Sequence, residues 1–267
     1  MAPVAIVTGA CSGIGLSLTR RLVSRGWNVA MADVDIPTGE ALSAELGPVA
    51  MFQPTDVSSW DDQAALFKRT KEAWGRIDYV AANAGIDEKQ NFYKVDDHEP
   101  VKPDLKVIEV NLISVIYGLR LAAHYFRQNG KEGGAFVATS SAAGIYPLSV
   151  EPLYASAKSG IVNLIRSTAS TYAKENITVN CVCPAFVPTS LPPAKLKNAW
   201  PEEHITPPET IVRAFENFLN DRTLTGKVAE CSLDQIFYRE IIDYPNESQR
   251  WVNEESSHLW DAAYGME

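Results

Sequence analysis

Short apolar runs alternate along this chain with segments whose apolar positions return every three or four residues. Residues 4–9 (VAIVTG) form the first run, closed by a turn, and Ile14, Leu18 and Leu22 then fall on one helical face. The pattern repeats: WNVAMADVD predicts a strand, TGEALSAELG a helix, VAMFQPTDVS a strand, and residues 59–75 a helix striped by Ala64, Phe67 and Lys71. IDYVAANAG is a fourth strand and residues 104–127 a long helix. GAFVATSS is a fifth strand, residues 152–173 a helix, and ITVNCVCPAF a sixth strand. A Pro-rich loop over 187–207, a helix over 208–219 and a last strand in GKVAEC follow. Strands that are nearly all apolar, separated by helices, predict a parallel sheet covered on both faces. Right-handed crossovers then give one doubly wound α/β domain with about seven parallel strands. Residues 1–231 are expected to form it, with a substrate lid within 187–220. Residues 232–267 are an aromatic-rich extension, expected to pack on the domain or on a partner subunit.

Size and charge narrow the partners. A chain of 267 residues, 46% apolar, is large enough for one core. A net charge of -9 repels a nucleic-acid duplex or an anionic membrane face. No run of consecutive apolar residues is long enough for a membrane span. Cys11, Cys181, Cys183 and Cys231 are read as free thiols, because neighbours two apart on a strand are poorly placed to bridge. With no secretion signal at the start, a cytoplasmic protein is expected. The histidines show no metal spacing, and no metal is expected.

TGACSGIG sets Gly9, Gly13 and Gly15 after the first strand and at the start of a helix. Glycines there permit a tight turn and bring phosphate close to the helix N-terminus, with Ser12 and Ile14 beside it. Turns that serve close packing also look like this, but the ordered strand–helix pattern behind it favours a dinucleotide. Asp33 ends the second apolar run, where a carboxylate accepts from ribose hydroxyls and disfavours a 2′-phosphate. That selects NAD. Asp56, followed by Val57, is a candidate for the adenine pocket or an ordinary turn residue.

Tyr154 and Lys158 in YASAK lie on one helical face. A phenol titrates near 10, and a neighbouring ammonium favours its ionised form, so the pair can exchange a proton with an alcohol or ketone oxygen. Ser141 closes the fifth strand, where its hydroxyl can orient that oxygen or simply cap the next turn. Asn111, an amide in an apolar helical stretch, needs a partner; it could hold a water or bond back to its helix.

These motifs together resemble the short-chain dehydrogenase/reductase family over residues 4–189. The glycine turn matches its cofactor loop, and Asn83-Ala84-Gly85 its fourth-strand motif. The resemblance implies a Rossmann fold and a catalytic set of Asn111, Ser141, Tyr154 and Lys158. In that set the tyrosine is acid–base, the lysine lowers its pKa and holds the ribose, the serine fixes the substrate oxygen, and the asparagine supports a water relay. It further implies that Asp33, Asp56, Val57, Asn83 and Gly85 contact NAD. Pro184, Val187 and Thr189 would hold the carboxamide. Ala185 stands where glycine is common and would be strained at positive φ. The later chain resembles 15-hydroxyprostaglandin-dehydrogenase-like members, except that Glu151 replaces a glutamine often turned toward substrate there.

The expected protein is therefore an NAD-dependent oxidoreductase acting on a small alcohol or ketone. Tyr146, Leu148, Phe186, Leu191 and Trp200 are candidates for its apolar pocket. A ketoreductase of secondary metabolism and a non-catalytic nucleotide-binding scaffold are the rival readings. Family members usually pair through their long central helices, which implies a homodimer or homotetramer.

Overall fold

Every strand that the apolar runs predict forms, and one more joins them. The computed structural model describes residues 1–96 and 98–265. Its strands are β1 (Val4–Thr8), β2 (Asn28–Asp33), β3 (Ala50–Pro54), β4 (Tyr79–Ala82), β5 (Gly134–Thr139), β6 (Ile177–Pro184), β7 (Val228–Ser232) and β8 (Gln235–Tyr238). They make one sheet in the order β3-β2-β1-β4-β5-β6-β7-β8, in which all neighbours are parallel except β7 and β8. The expected seven parallel strands thus gain an antiparallel eighth. It is reached through a tight turn at Leu233-Asp234, with Ser232 opposite Gln235 and Leu233 at φ 53°.

Side chains alternate across each strand, so two cores form. On one face Ile6, Ala30, Val80, Phe136 and Val179 meet three helices. These are α3 (Trp60–Trp74), α4 (Lys106–Arg127) and α5 (Pro152–Ala173), which contribute Leu66, Phe67, Phe126, Ile161 and Ile165. On the other, Val7, Val29, Met31, Tyr79 and Val137 meet Leu18 and Leu22 of α1 (Gly13–Ser24) and Leu42 of α2 (Ile36–Leu46). Ile211, Phe215 and Phe218 of a helix over Pro208–Asn220 complete this core.

The buried stripe of α3 is Gln63, Leu66, Phe67 and Thr70, and Lys71 is only half-buried. Gln63 takes the inward place because its Nε2 donates to the carbonyls of Val57 and Ser114. Helix α4 is long and apolar enough to cross a membrane, yet its apolar face, with Leu119 and Phe126, is packed into the core. One stretch of it, Glu109–Ile113, is wound as a π-helix. The Pro-rich loop contains a short helix over Ala194–Ala199.

Past β8 lie two further helices, Glu247–Glu254 and Ser257–Tyr264, with Trp251, Trp260 and Tyr264 exposed. Positions 266 and 267 of the expected extension lie outside the described residues. Strand order reverses between β1 and β4, and the crevice of a doubly wound sheet opens at the carboxyl ends of such strands.

Candidate active site

Two pieces of backbone meet at that crevice. Thr8, the last residue of β1, uses its Oγ1 to accept from both Asn83 N and Ala84 N (3.0 Å each), and Asn83 Nδ2 donates back to the Thr8 carbonyl. Gly9 and Gly13 then turn the chain at φ 65° and 51°. Gly15 lets α1 pass close to this turn: a Cβ there would lie 2.0 Å from the Gly9 carbonyl oxygen. Helix α1 begins at Ser12 without a side-chain cap bond, so its first N–H groups are free to meet an anion. That suits a dinucleotide's pyrophosphate.

A cavity of about 770 Å³ runs from this turn across the sheet ends. Gly9, Ser12, Gly13, Ile14, Asn83, Gly85, Ser141, Tyr154, Lys158, Pro184, Val187 and Thr189 all line it. Leu148, Phe186, Leu191 and Trp200 form an apolar wall, in which the Phe186 and Trp200 rings stack at 3.9 Å. Ser190 Oγ donates to Ser12 Oγ at 2.9 Å, joining the wall to the glycine turn.

Five of the expected residues stand elsewhere. Gly15 is inside the turn. Asp33 anchors it, accepting from Cys11 N (3.0 Å) and Asp35 N (3.2 Å). Asp56 closes a turn with Ser58 N and Oγ, pairs with Lys106 at 3.6 Å, and is held below the usual carboxylate range chiefly by Ser58. Val57 is buried beside Gln63. Asn111, fully buried in the π-wound turn, bonds neither to its own helix nor outward. Its Oδ1 accepts from Ile86 N (2.8 Å) and its Nδ2 donates to the Ile86 carbonyl (2.9 Å), so the amide grips the segment after β4. Ala185 escapes the strain expected of it: Asn176 and Leu233 are the non-glycine residues at positive φ among those described.

The polar set is buried against the sheet. Lys158 Nζ donates to the Thr139 carbonyl (2.9 Å) and lies 5.5 Å from the centre of the Tyr154 ring. Burial pushes the ammonium down to about 8. It pushes the Tyr154 phenol up to about 12, with the Ser141 hydroxyl pulling the other way and Glu151 and Asp87 adding to the rise. In the protein alone, desolvation therefore raises the phenol that the ammonium was expected to acidify. Ser141 Oγ also accepts from Ala143 N at 3.1 Å, so it caps a turn as well as facing the cavity.

Two acidic residues, Asp87 and Glu88, escaped the reading of the sequence, and both act beside Glu151. Asp87 and Glu151 face each other in the cavity wall, and burial together with Asp87 raises Glu151 to about 7. Glu88 accepts from Leu153 N and Tyr154 N at 2.8 and 3.0 Å. The signal was available: two acidic residues follow the NAG motif after Ile86, and a helix that opens at Pro152 needs a cap from somewhere.

Comparison with known proteins agrees with this fold. The family model described as short chain dehydrogenase matches residues 3–199. A short-chain dehydrogenase/reductase of Penicillium rubens, prx6, is 35% identical, the match covering 98% of this chain and 93% of that one. Human 15-hydroxyprostaglandin dehydrogenase [NAD(+)] is 33% identical over 70% of this chain and 69% of its own. Among solved structures, a 3-ketoacyl-(acyl-carrier-protein) reductase from Brucella melitensis, complexed with NADH, superposes with a TM-score of 0.75 at 25% identity, covering 86% of this chain and 96% of that one.

Proposed function

The chain belongs to the short chain dehydrogenase family as an NAD-dependent oxidoreductase, and we propose that it interconverts a secondary alcohol and a ketone on a largely apolar or aromatic small molecule. One observation carries this reading: the Ser141 hydroxyl, the Tyr154 phenol and Lys158 converge on a single cavity whose far wall is apolar.

The substrate oxygen sits between Ser141 Oγ and the Tyr154 hydroxyl. Ser141 orients it, and Tyr154 gives a proton to a ketone oxygen or takes one from an alcohol. NAD, when bound, supplies the hydride chemistry. The glycine-turn amides, Asp33 and Asn83 would hold it, with Pro184, Val187 and Thr189 along its other side. Lys158 adds positive charge behind the phenol, which favours proton removal in the oxidative direction. The 187–207 part of the expected lid closes over the substrate, supported by the Phe186–Trp200 stack and the Ser190–Ser12 bond, while residues 208–220 belong to the core and not to the lid.

The layout resembles that of 15-hydroxyprostaglandin-dehydrogenase-like members, a reading that the identity to the human relative supports; Glu151 and Asp87 in the wall point to a substrate without a carboxylate there. Reduction of a ketone is the second reading, favoured by a phenol that burial holds protonated. We place the enzyme in the cytoplasm, which four unpaired buried cysteines support. It works as a homodimer through the outer faces of α4 and α5, where Ile116, Ser156 and Ser159 are exposed. The exposed aromatics of the chain's end pack on the second copy.

The test is turnover: secondary alcohols with NAD+, and their ketones with NADH, followed by the absorbance of NADH. Tyr154→Phe is expected to lower kcat by about 10²- to 10⁴-fold, the usual contribution of a positioned acid–base group. NADH bound with no turnover of any alcohol or ketone would favour a scaffold.

A further inference from the structure

We infer that Glu88 is a positioning residue for this reaction: it caps the helix that carries Tyr154 and Lys158 and thereby fixes where the phenol stands. The inference rests on the alcohol–ketone reading above.

The first turn of α5 can be accounted for donor by donor. Pro152 has no N–H. Ala155 N donates to the Glu151 carbonyl at 3.0 Å, inside the helix. Two donors remain, Leu153 N and Tyr154 N. Glu151, the residue at the cap position, gives no side-chain bond to either. Both go instead to one oxygen of Glu88, Oε2, from a different part of the chain. A carboxylate at a helix N-terminus also meets the favourable end of the dipole. One of the two N–H groups it holds belongs to the reacting tyrosine.

Glu88 can serve this way because its own backbone is held. The segment leading to it is fixed at Thr8 through Asn83 and Ala84, and at Asn111 through Ile86. Gly85 passes beside Lys158: a Cβ built there would stand 3.5 Å from Lys158 Nζ. One short stretch of chain therefore bonds to Asn111, passes beside Lys158 and ends by gripping the backbone of Tyr154. The second oxygen of Glu88, Oε1, is buried without a partner. Such a group is destabilising, and the two bonds to Oε2 must offset it. A neutral glutamine can still offer its oxygen to the two N–H groups; alanine cannot.

Three proteins test this: the wild type, Glu88→Ala and Glu88→Gln. The measurements are kcat, KM for NAD+, and amide hydrogen exchange at Leu153 and Tyr154. Misplacing a reacting group by about 1 Å costs up to about 100-fold in rate. Glu88→Ala is therefore expected to lose about 10- to 100-fold in kcat, keep KM for NAD+ within about twofold, and exchange both amides at least about tenfold faster. Glu88→Gln should recover kcat to within about threefold and restore protection, as the surviving acceptor requires. The inference is overturned if Glu88→Ala keeps its rate and its protected amides. It is equally overturned if Glu88→Gln falls as far as Glu88→Ala. Should the wild type turn over nothing, the alcohol–ketone reading fails on its own, and unchanged exchange in Glu88→Ala would still sink the cap.

Discussion

Tyr154 shows how much of a site is written in residue identity and how much in surroundings. The YASAK spacing places phenol and ammonium on one face of α5, as the helix period requires. It does not reveal that both are buried, which moves the phenol up to about 12 and the ammonium down to about 8. Asn111 is legible as a buried amide, but its partner, the Ile86 backbone, lies across a loop that no local pattern connects to it. Glu151 carries a further consequence. Burial and Asp87 raise it to about 7, above its ordinary value near 4.5. Above that ordinary value the native state keeps a proton that the unfolded chain releases, so stability falls as pH rises, until Glu151 ionises near 7 in the folded protein as well. Glu151→Gln removes this dependence. Its melting temperature should match or trail the wild type at pH 5, gain on it towards pH 7 and hold that gain at higher pH. Parallel melting curves across that range would show that the carboxyl is not destabilised by its place.

At the scale of elements, the apolar runs located the first seven strands and the long helices, because buried parallel strands are uniform enough to recognise. What they missed is short or polar. Strand β8 has four residues, with Phe237 and Tyr238 partly exposed, so it lacks a buried signature. The π-wound turn of α4 leaves no trace in periodicity. The glycine turn was legible, and its tolerances follow from packing. A methyl at Gly15 would lie 2.0 Å from the Gly9 carbonyl oxygen and 2.8 Å from Asn83 Nδ2. Backbone cannot yield there without parting β1 from α1. Gly15→Ala should lower unfolding free energy by about 1–3 kcal/mol, the usual range for overpacking, and weaken NADH binding. Urea unfolding and NADH fluorescence titration measure the two. Full stability with normal binding would mean that the turn relaxes freely.

For the whole molecule, the proposed dimer predicts roughly twice the mass of the 29.3 kDa chain in light scattering at micromolar concentration. A single-chain mass would remove α4 and α5 as an interface. The end of the chain has its own claim on the catalytic domain. Glu230 on β7 is almost wholly buried, and its carboxylate accepts from the Tyr146 hydroxyl (3.1 Å) and from Arg239, just past β8. Arg239 also donates to Tyr146, whose ring lines the cavity. Shortening the protein to the parallel strands alone would strand an anion in the interior and unmoor an aromatic ring at the substrate's door. What looks like an appendage is a counterweight.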